Sequence, residues 1–453
     1  MYLATLVNLI IGIAVFVVSI TAMIISAYEK ETRASIWSLI FALSLPVPFL
    51  LPAFIPAVAG SVYPVSIIII TSLVLLAFLY NPKQKKFAPV KPTVQHDERE
   101  TMFSRRELEP GSKRYQDYYT THPEHHDPDK KWRQKPGLLD PDSLFYHPVS
   151  FAAAEASFET IGQLGPFIDG PVKKGQQKLS AKDLTHFIKK WMLKQGMADI
   201  GVTEMQPYHY YHTKGRGSAY NQAITPQHKY GIALTVEMDE SMINAAPKGS
   251  AVMESAEKYL KSGVPAVQLA TFLREMGYDA KAHIDGNYEL ICPLVARDAA
   301  LGEIGRMGLL MTPGQGPRVR IAVVTTNAPL VLSKPASIAY SMNEFCTYCK
   351  KCAAVCPGQA ISFDERKVHD GVLRWKINSE SCFTYWQTAG TDCGRCMAVC
   401  PYAHANNLLH NAVRSGIRYS KLFRRVAVIL DDLFYGKRPG SKSMPHWIPQ
   451  AKS

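Results

Sequence analysis

The sequence predicts apolar membrane helices, then a mixed α/β domain, then a compact module held by cysteine ligands. Three observations predict it. The first 80 of the 453 residues carry long uncharged apolar stretches, the middle of the chain alternates helical and strand periodicity, and eight of the nine cysteines fall between Cys346 and Cys400. At about 150 residues per domain, this length allows two or three units. The balance of 51 Lys and Arg against 38 Asp and Glu gives a formal charge of +13. These basic residues are spread along the chain without a nucleic-acid motif, so an anionic membrane face or an acidic partner is expected and nucleic acid is not.

Residues 1–80 read as a three-helix anchor. Leu3 to Ala27 is uncharged and long enough, at about 1.5 Å per residue, to cross a hydrocarbon core of about 30 Å. Further apolar stretches run from Ile36 to Pro56 and from Val62 to Tyr80. Pro46, Pro48 and Pro52 remove helix hydrogen bonds, so the second stretch is expected to kink or re-enter. A cleaved signal peptide would need a basic leading region and a shorter apolar core. Lys30 and Arg33 after the first span, and Lys83, Lys85, Lys86 and Lys91 after the third, fall on one side if the catalytic part faces the cytoplasm.

Residues 81–137 read as a polar linker wrapping onto the next domain. His122, His125 and His126 lack the spacing and cysteine partners of a closed zinc site. Arg105 and Arg106 are followed by no apolar run, so they read as solvated surface and not as an export signal.

Residues 138–335 form the α/β domain. "AKDLTHFIKKWMLKQ" places Leu184, Phe187, Ile188, Trp191 and Met192 at helical spacing, and "VPAVQLATFLREMGYDA" is a second amphipathic helix, ended by Gly277. "MADIGVTEM", "YGIALTVEM", "ELICPLV" and "RVRIAVVTT" read as strands, and Cys292 within the third as a small core residue. Strands separated by helices imply a layered core. Between the last two strands, Gly302, Gly305, Gly308, Gly314 and Gly316 would let the backbone approach a flat or phosphate-bearing ligand.

Residues 336–410 form the cysteine module, and 411–453 are expected to be a helix and tail packed on the core. Cys346, Cys349, Cys352 and Cys356 precede Pro357 with the spacing of bacterial two-cluster ferredoxins. The second run is Cys382, Cys393, Cys396 and Cys400 before Pro401, its first gap stretched by "FTYWQTAGTD". In such folds the last cysteine of each run serves the other cluster. The expected ligand sets are therefore Cys346, Cys349, Cys352 and Cys400 for one [4Fe-4S] cluster, and Cys356, Cys382, Cys393 and Cys396 for the other. The inserted segment is expected to pack on the catalytic domain.

From about Lys135 to Trp447 the chain resembles the reductive dehalogenases, corrinoid and iron-sulfur enzymes that replace a carbon-halogen bond by carbon-hydrogen. The likeness rests on "PGLLDPDSLFY", "YGIALTVEMD", "LGEIGRMGLLMTPGQGPRVR", "EFCTYCKKCAAVCPGQAISF", "CFTYWQTAGTDCGRCMAVCPY" and "LDDLFYGK". The resemblance implies a nitroreductase-like domain that binds a base-off cobamide without a D-x-H-x-x-G motif. In agreement, none of the 14 His follows an Asp two residues earlier. It also implies Tyr259 as proton donor, assisted by Arg318 with Arg320 as the alternative, and Asn287 at the pocket wall. Glycines 305, 308, 314 and 316, with Arg320, would then line the cofactor. The implied partners are an organohalide, a membrane or cytosolic electron donor and the bilayer, with a homodimer as the implied assembly. Two rival readings remain at this point: an epoxyqueuosine-reductase-like corrinoid enzyme and a membrane-tethered ferredoxin subunit.

Overall fold

The computed structural model describes residues 2–79, 90–334 and 338–449. The chain divides into two compact units. One comprises residues 1–86, 340–349 and 406–439, and the other residues 87–339, 350–405 and 440–453.

In the first unit, two helical stretches are long and apolar enough to cross a membrane, Leu3–Tyr28 and Thr32–Phe54. The second is broken where Thr32–Ser44 gives way to Val47–Phe54, because Pro46 has no N–H to continue the ladder. The third apolar helix, Tyr63–Leu79, has 17 residues. At about 25 Å over its described residues, it lies at the short end of what a span needs. Of the basic residues used for orientation, Lys83, Lys85 and Lys86 lie outside the described residues. Asn8 buries its amide by donating to the Pro64 carbonyl at 2.9 Å.

The segment after residue 405 departs from its expected place. Helices Leu408–Tyr419 and Lys421–Tyr435 belong to the first unit and pack there against the apolar helices. Phe434 meets Phe41 edge-on at 5.6 Å, Phe423 meets Phe78 at 6.0 Å, and Arg33 Nε donates to the Leu433 carbonyl at 2.7 Å. Arg424 pairs with Glu344 at 2.7 Å, which fixes the Ile338–Cys349 helix to this bundle. Only the tail follows the expectation, with the backbone N–H of Lys442 donating to the Asn244 carbonyl in the second unit.

The second unit is built on a four-stranded sheet in the order β1-β2-β6-β3, antiparallel throughout. Its strands are β1 (Asp199–Glu204), β2 (Tyr230–Glu237), β3 (Ala280–His283) and β6 (Val319–Thr326). Two-residue strands β4 (Glu303–Ile304) and β5 (Leu310–Met311) form a separate hairpin. Side chains alternate between two cores, as a strand's period of two requires. Ile232, Leu234, Val236, Ala322 and Val324 join the core beneath helices Ala181–Lys194 and Gly249–Glu275, while Ala233, Val319 and Val323 face helix Cys292–Asp298.

Two sequence readings change here. "ELICPLV" is not a strand; it leads into the helix Cys292–Asp298, because Pro293 cannot donate to a sheet ladder but suits a first helical turn. The amphipathic helix before Gly277 starts far earlier, at Gly249, and runs 27 residues through Pro265.

The expected hydrated linker is folded as well. It contains helices Met102–Arg106, Lys113–Thr121 and His126–Arg133. Arg105 is no surface residue: it is buried, donating to Asp129 and, at 2.9 Å, to Glu380. Asp129 also accepts from Tyr119 at 2.7 Å and from Trp132 Nε1 at 2.8 Å. His122 and His125 are employed in stacking on Tyr118, and Tyr118 meets His125 Nδ1 at 2.8 Å.

Candidate active site

A cavity of about 600 Å³ opens in the second unit between the Gly249–Glu275 helix, the start of β6 and the segment that separates Cys382 from Cys393. Each wall follows from local structure. Val252, Ser255 and Tyr259 line it because spacings of three and four residues share one helix face. Arg320 lines it because it pairs with Val236 across β2 and points, like Ala322 and Val324, toward that helix. The inserted segment folds as helix Ser379–Ala389 and turns at Gly390, supplying Trp386 and Asp392. Gly390 has φ +74°, and a Cβ there would lie 1.9 Å from Ser143 Oγ. Backbone N–H groups of Gly137 and Leu139 donate to the carbonyls of Gln387 and Gly390, both at 2.9 Å, so this segment does pack on the α/β domain.

At the centre stands a charged pair over a phenol. The Arg320 guanidinium lies 5.0 Å from the centroid of the Tyr259 ring. Arg320 Nη2 donates to Ser255 Oγ at 2.5 Å and to Asp392 Oδ2 at 2.8 Å, and Ser255 donates to the same carboxylate. Arg320 Nε and Asp392 Oδ1 are buried with no partner among the described residues. Burial pushes the Tyr259 phenol up to about 12 while Arg320 opposes the rise, so the hydroxyl keeps its proton at neutral pH.

His283 reaches the cavity wall, but Nε2 meets Thr325 Oγ1 at 3.0 Å and Nδ1 accepts from the Glu289 N–H at 3.3 Å. Burial holds it neutral, down at about 3. Cys292 packs against the second core, as expected, and also lines this wall, its thiol pushed up to about 12 by burial.

Other expected site residues are placed differently. Arg318 is fully buried outside the cavity, with Nε donating to the Ala403 carbonyl at 2.6 Å and Nη1 to that of Met238. It braces the cluster module against the end of β2, and Arg320 has the position beside Tyr259. Asn287 is not at the wall; its N–H closes a turn onto Ile284, and Asp285 and Tyr288 on either side line the cavity. Gly305, Gly308, Gly314 and Gly316 are also absent from the lining. Gly316, at φ +57°, lies so close to Tyr402 that a Cβ would come within 2.7 Å of its backbone, so its freedom serves packing on the cluster module.

Sequence reasoning missed Ser255, Asp285, Tyr288, Arg216, Trp386 and Asp392. Ser255 was within reach, four residues before Tyr259 on a helix.

Among the cysteines, Cys356, Cys382, Cys393 and Cys396 lie within electrostatic reach of one another. Burial pushes the Cys382 thiol up to about 11 and that of Cys393 up to about 12. Cys346 and Cys349 stand in the Ile338–Cys349 helix, within the first unit, and Cys352 and Cys400 belong to the second.

The model of the 4Fe-4S dicluster domain matches residues 345–404. The chain is 35% identical over 215 residues to a tetrachloroethene reductive dehalogenase of Sulfurospirillum multivorans, covering 46% of this chain and 42% of that protein. It is 34% identical over 194 residues to one of Desulfitobacterium hafniense, covering 40% of this chain and 34% of that protein. Over these stretches the chain is similar to reductive dehalogenases. The fold of the chain matches a solved catabolic reductive dehalogenase at a TM-score of 0.62 and 22% identity, over 79% of this chain and 49% of that one. The matches span less than half the length of these relatives. The stretch that matches the 4Fe-4S dicluster domain thus supplies Trp386 and Asp392 to the wall of a cavity holding a tyrosine-arginine pair.

Proposed function

We propose that the protein is a membrane-attached reductive dehalogenase that converts R–X, two electrons and a proton into R–H and X⁻. The observation that carries this reading is the Arg320-Tyr259 pair at a cavity whose wall includes Asp392, the residue before the cluster ligand Cys393.

The cavity suits a cobamide. Its volume of about 600 Å³ is in the range of small-molecule sites and would take part of a cobamide, not the whole of it. Its walls are largely aliphatic and aromatic, and the buried atoms Arg320 Nε and Asp392 Oδ1 await polar partners. The one histidine at the wall has both ring nitrogens engaged, which fits a base-off cofactor without a histidine ligand. A bound cobamide supplies the reduced cobalt centre at which the carbon-halogen bond breaks.

The residues do the remainder. Tyr259 holds a proton at its hydroxyl and delivers it to the carbon left electron-rich by halide loss. Arg320 stabilises the tyrosinate that results, and Asp392 with Ser255 fixes the guanidinium over the ring. The two cysteine sets would hold two [4Fe-4S] clusters that pass electrons on, the second set including Cys393, the neighbour of Asp392 at the cavity wall. We take the sheet and its flanking helices as a nitroreductase-like corrinoid domain. The apolar helices are taken as a three-span anchor, with Lys30 and Arg33 on the cytoplasmic side.

Anaerobic reconstitution of the full chain in detergent with iron, sulfide and cobamide tests this reading. About eight irons and about one cobalt per chain are expected, with halide release from a panel of chlorinated and brominated phenols and alkenes. Uptake of iron without cobamide, and no halide from any member, would refute it.

A further inference from the structure

A second polar group lines the same cavity. Arg216 Nε donates to Glu98 Oε1 at 2.9 Å, and the backbone N–H of Gly215 holds the other carboxylate oxygen at 2.8 Å. The guanidinium lies 4.6 Å from the centroid of the Tyr288 ring. Clamped by Glu98 and by the ring, it has a fixed orientation. Its Nη2 is nonetheless buried without a partner among the described residues. Asp285, also at the wall, lies within electrostatic reach of both Arg216 and Arg320.

Resting on the dehalogenase reading, we propose that Arg216 and Asp285 recognise a hydroxyl group on the organohalide, so that the substrates are halogenated phenols. A hydroxyl oxygen accepts from Nη2 and its hydrogen is given to the Asp285 carboxylate, so a single group meets a donor and an acceptor. A haloalkene offers neither and leaves a buried cationic N–H unpaired, which is costly. A carboxylate is disfavoured, since Glu98 already neutralises Arg216 and the site adds the Asp285 carboxyl, which burial raises. The aromatic faces of Tyr288, Trp386 and Phe158 suit a ring between the hydroxyl and the reacting carbon.

The test compares 2-bromophenol, 2-bromoanisole and bromobenzene on the reconstituted full chain, by halide release. The wild type is expected to favour the phenol, with the anisole between. In Arg216→Leu the ratio of kcat/KM for the phenol to that for bromobenzene should fall by about 100-fold, mainly through KM. Arg216→Lys, which keeps the charge opposite Glu98 but loses the planar fork, should lose the same preference while folding as the wild type does. An unchanged ratio in both variants overturns the proposal. Loss of cobalt from the variants also overturns it, because the acceptor oxygen would then belong to a side chain of the cofactor. If no compound releases halide, the dehalogenase reading fails, and equilibrium dialysis of unhalogenated phenol against wild type and variants decides the hydroxyl site by itself.

Discussion

At the scale of single residues the candidate chemistry depends on a phenol that stays protonated beside a cation that does not lose its proton. Tyr259→Phe keeps the ring under Arg320 and removes only the proton. Turnover should fall by about 100-fold or more with cobalt and iron contents unchanged, as metal analysis and halide release will read. Because burial holds the phenol up at about 12, the rate should show no loss from tyrosine ionisation between pH 7 and 10; a decline centred near 10 would mean that the donor is an ordinary exposed tyrosine. Asp392→Asn is isosteric but leaves Arg320 without its carboxylate, so kcat should fall by at least about 10-fold with little change in KM. The sequence could bring Tyr259 forward but could not choose between Arg318 and Arg320. The two share strand parity, and the choice is made by Ala403 and Met238, which capture Arg318 from distant parts of the chain.

Among the elements, the legible ones were those whose pattern is local. Helix Ala181–Lys194 and strands β1, β2 and β6 show clean periodicities. β3 was missed because "AKAH" has none of Val, Ile, Thr, Phe, Tyr or Trp and owes its place to pairing with β6. Residues 90–137 were misread for a different reason: their charges satisfy one another inside the fold, which composition cannot reveal. The Arg105-Asp129 pair is the clearest case, buried on both sides. Arg105→Ala leaves Asp129 as an unpaired buried carboxylate and should cost about 3–5 kcal/mol by urea unfolding. Asp129 also binds Trp132, which packs on Phe383 one residue after Cys382. The same variant should therefore retain the second cluster less well under dilution.

For the whole molecule, acid should be the weak point of the second unit. His283 is held neutral by burial at about 3, against an ordinary value near 6.5. The unfolded chain thus takes up a proton that the native state refuses, and stability present above pH 6.5 drains away below it. Glu289, which burial alone would raise, is held at about 2 by Lys214 and Lys281 and adds a loss below about pH 4.5. The urea midpoint should fall from pH 7.5 to pH 5, and His283→Gln should flatten that slope; an equal slope in the variant would assign the effect elsewhere. The contact of Arg33 with Leu433 carries a further meaning. Its partners stand 400 positions apart. At about 5–20 residues per second of synthesis, the first apolar helices wait some 20–80 seconds before the helix that covers them exists. Over that interval the nascent chain offers Phe41 and Phe78 uncovered, and this is the window in which an insertion factor would shield them.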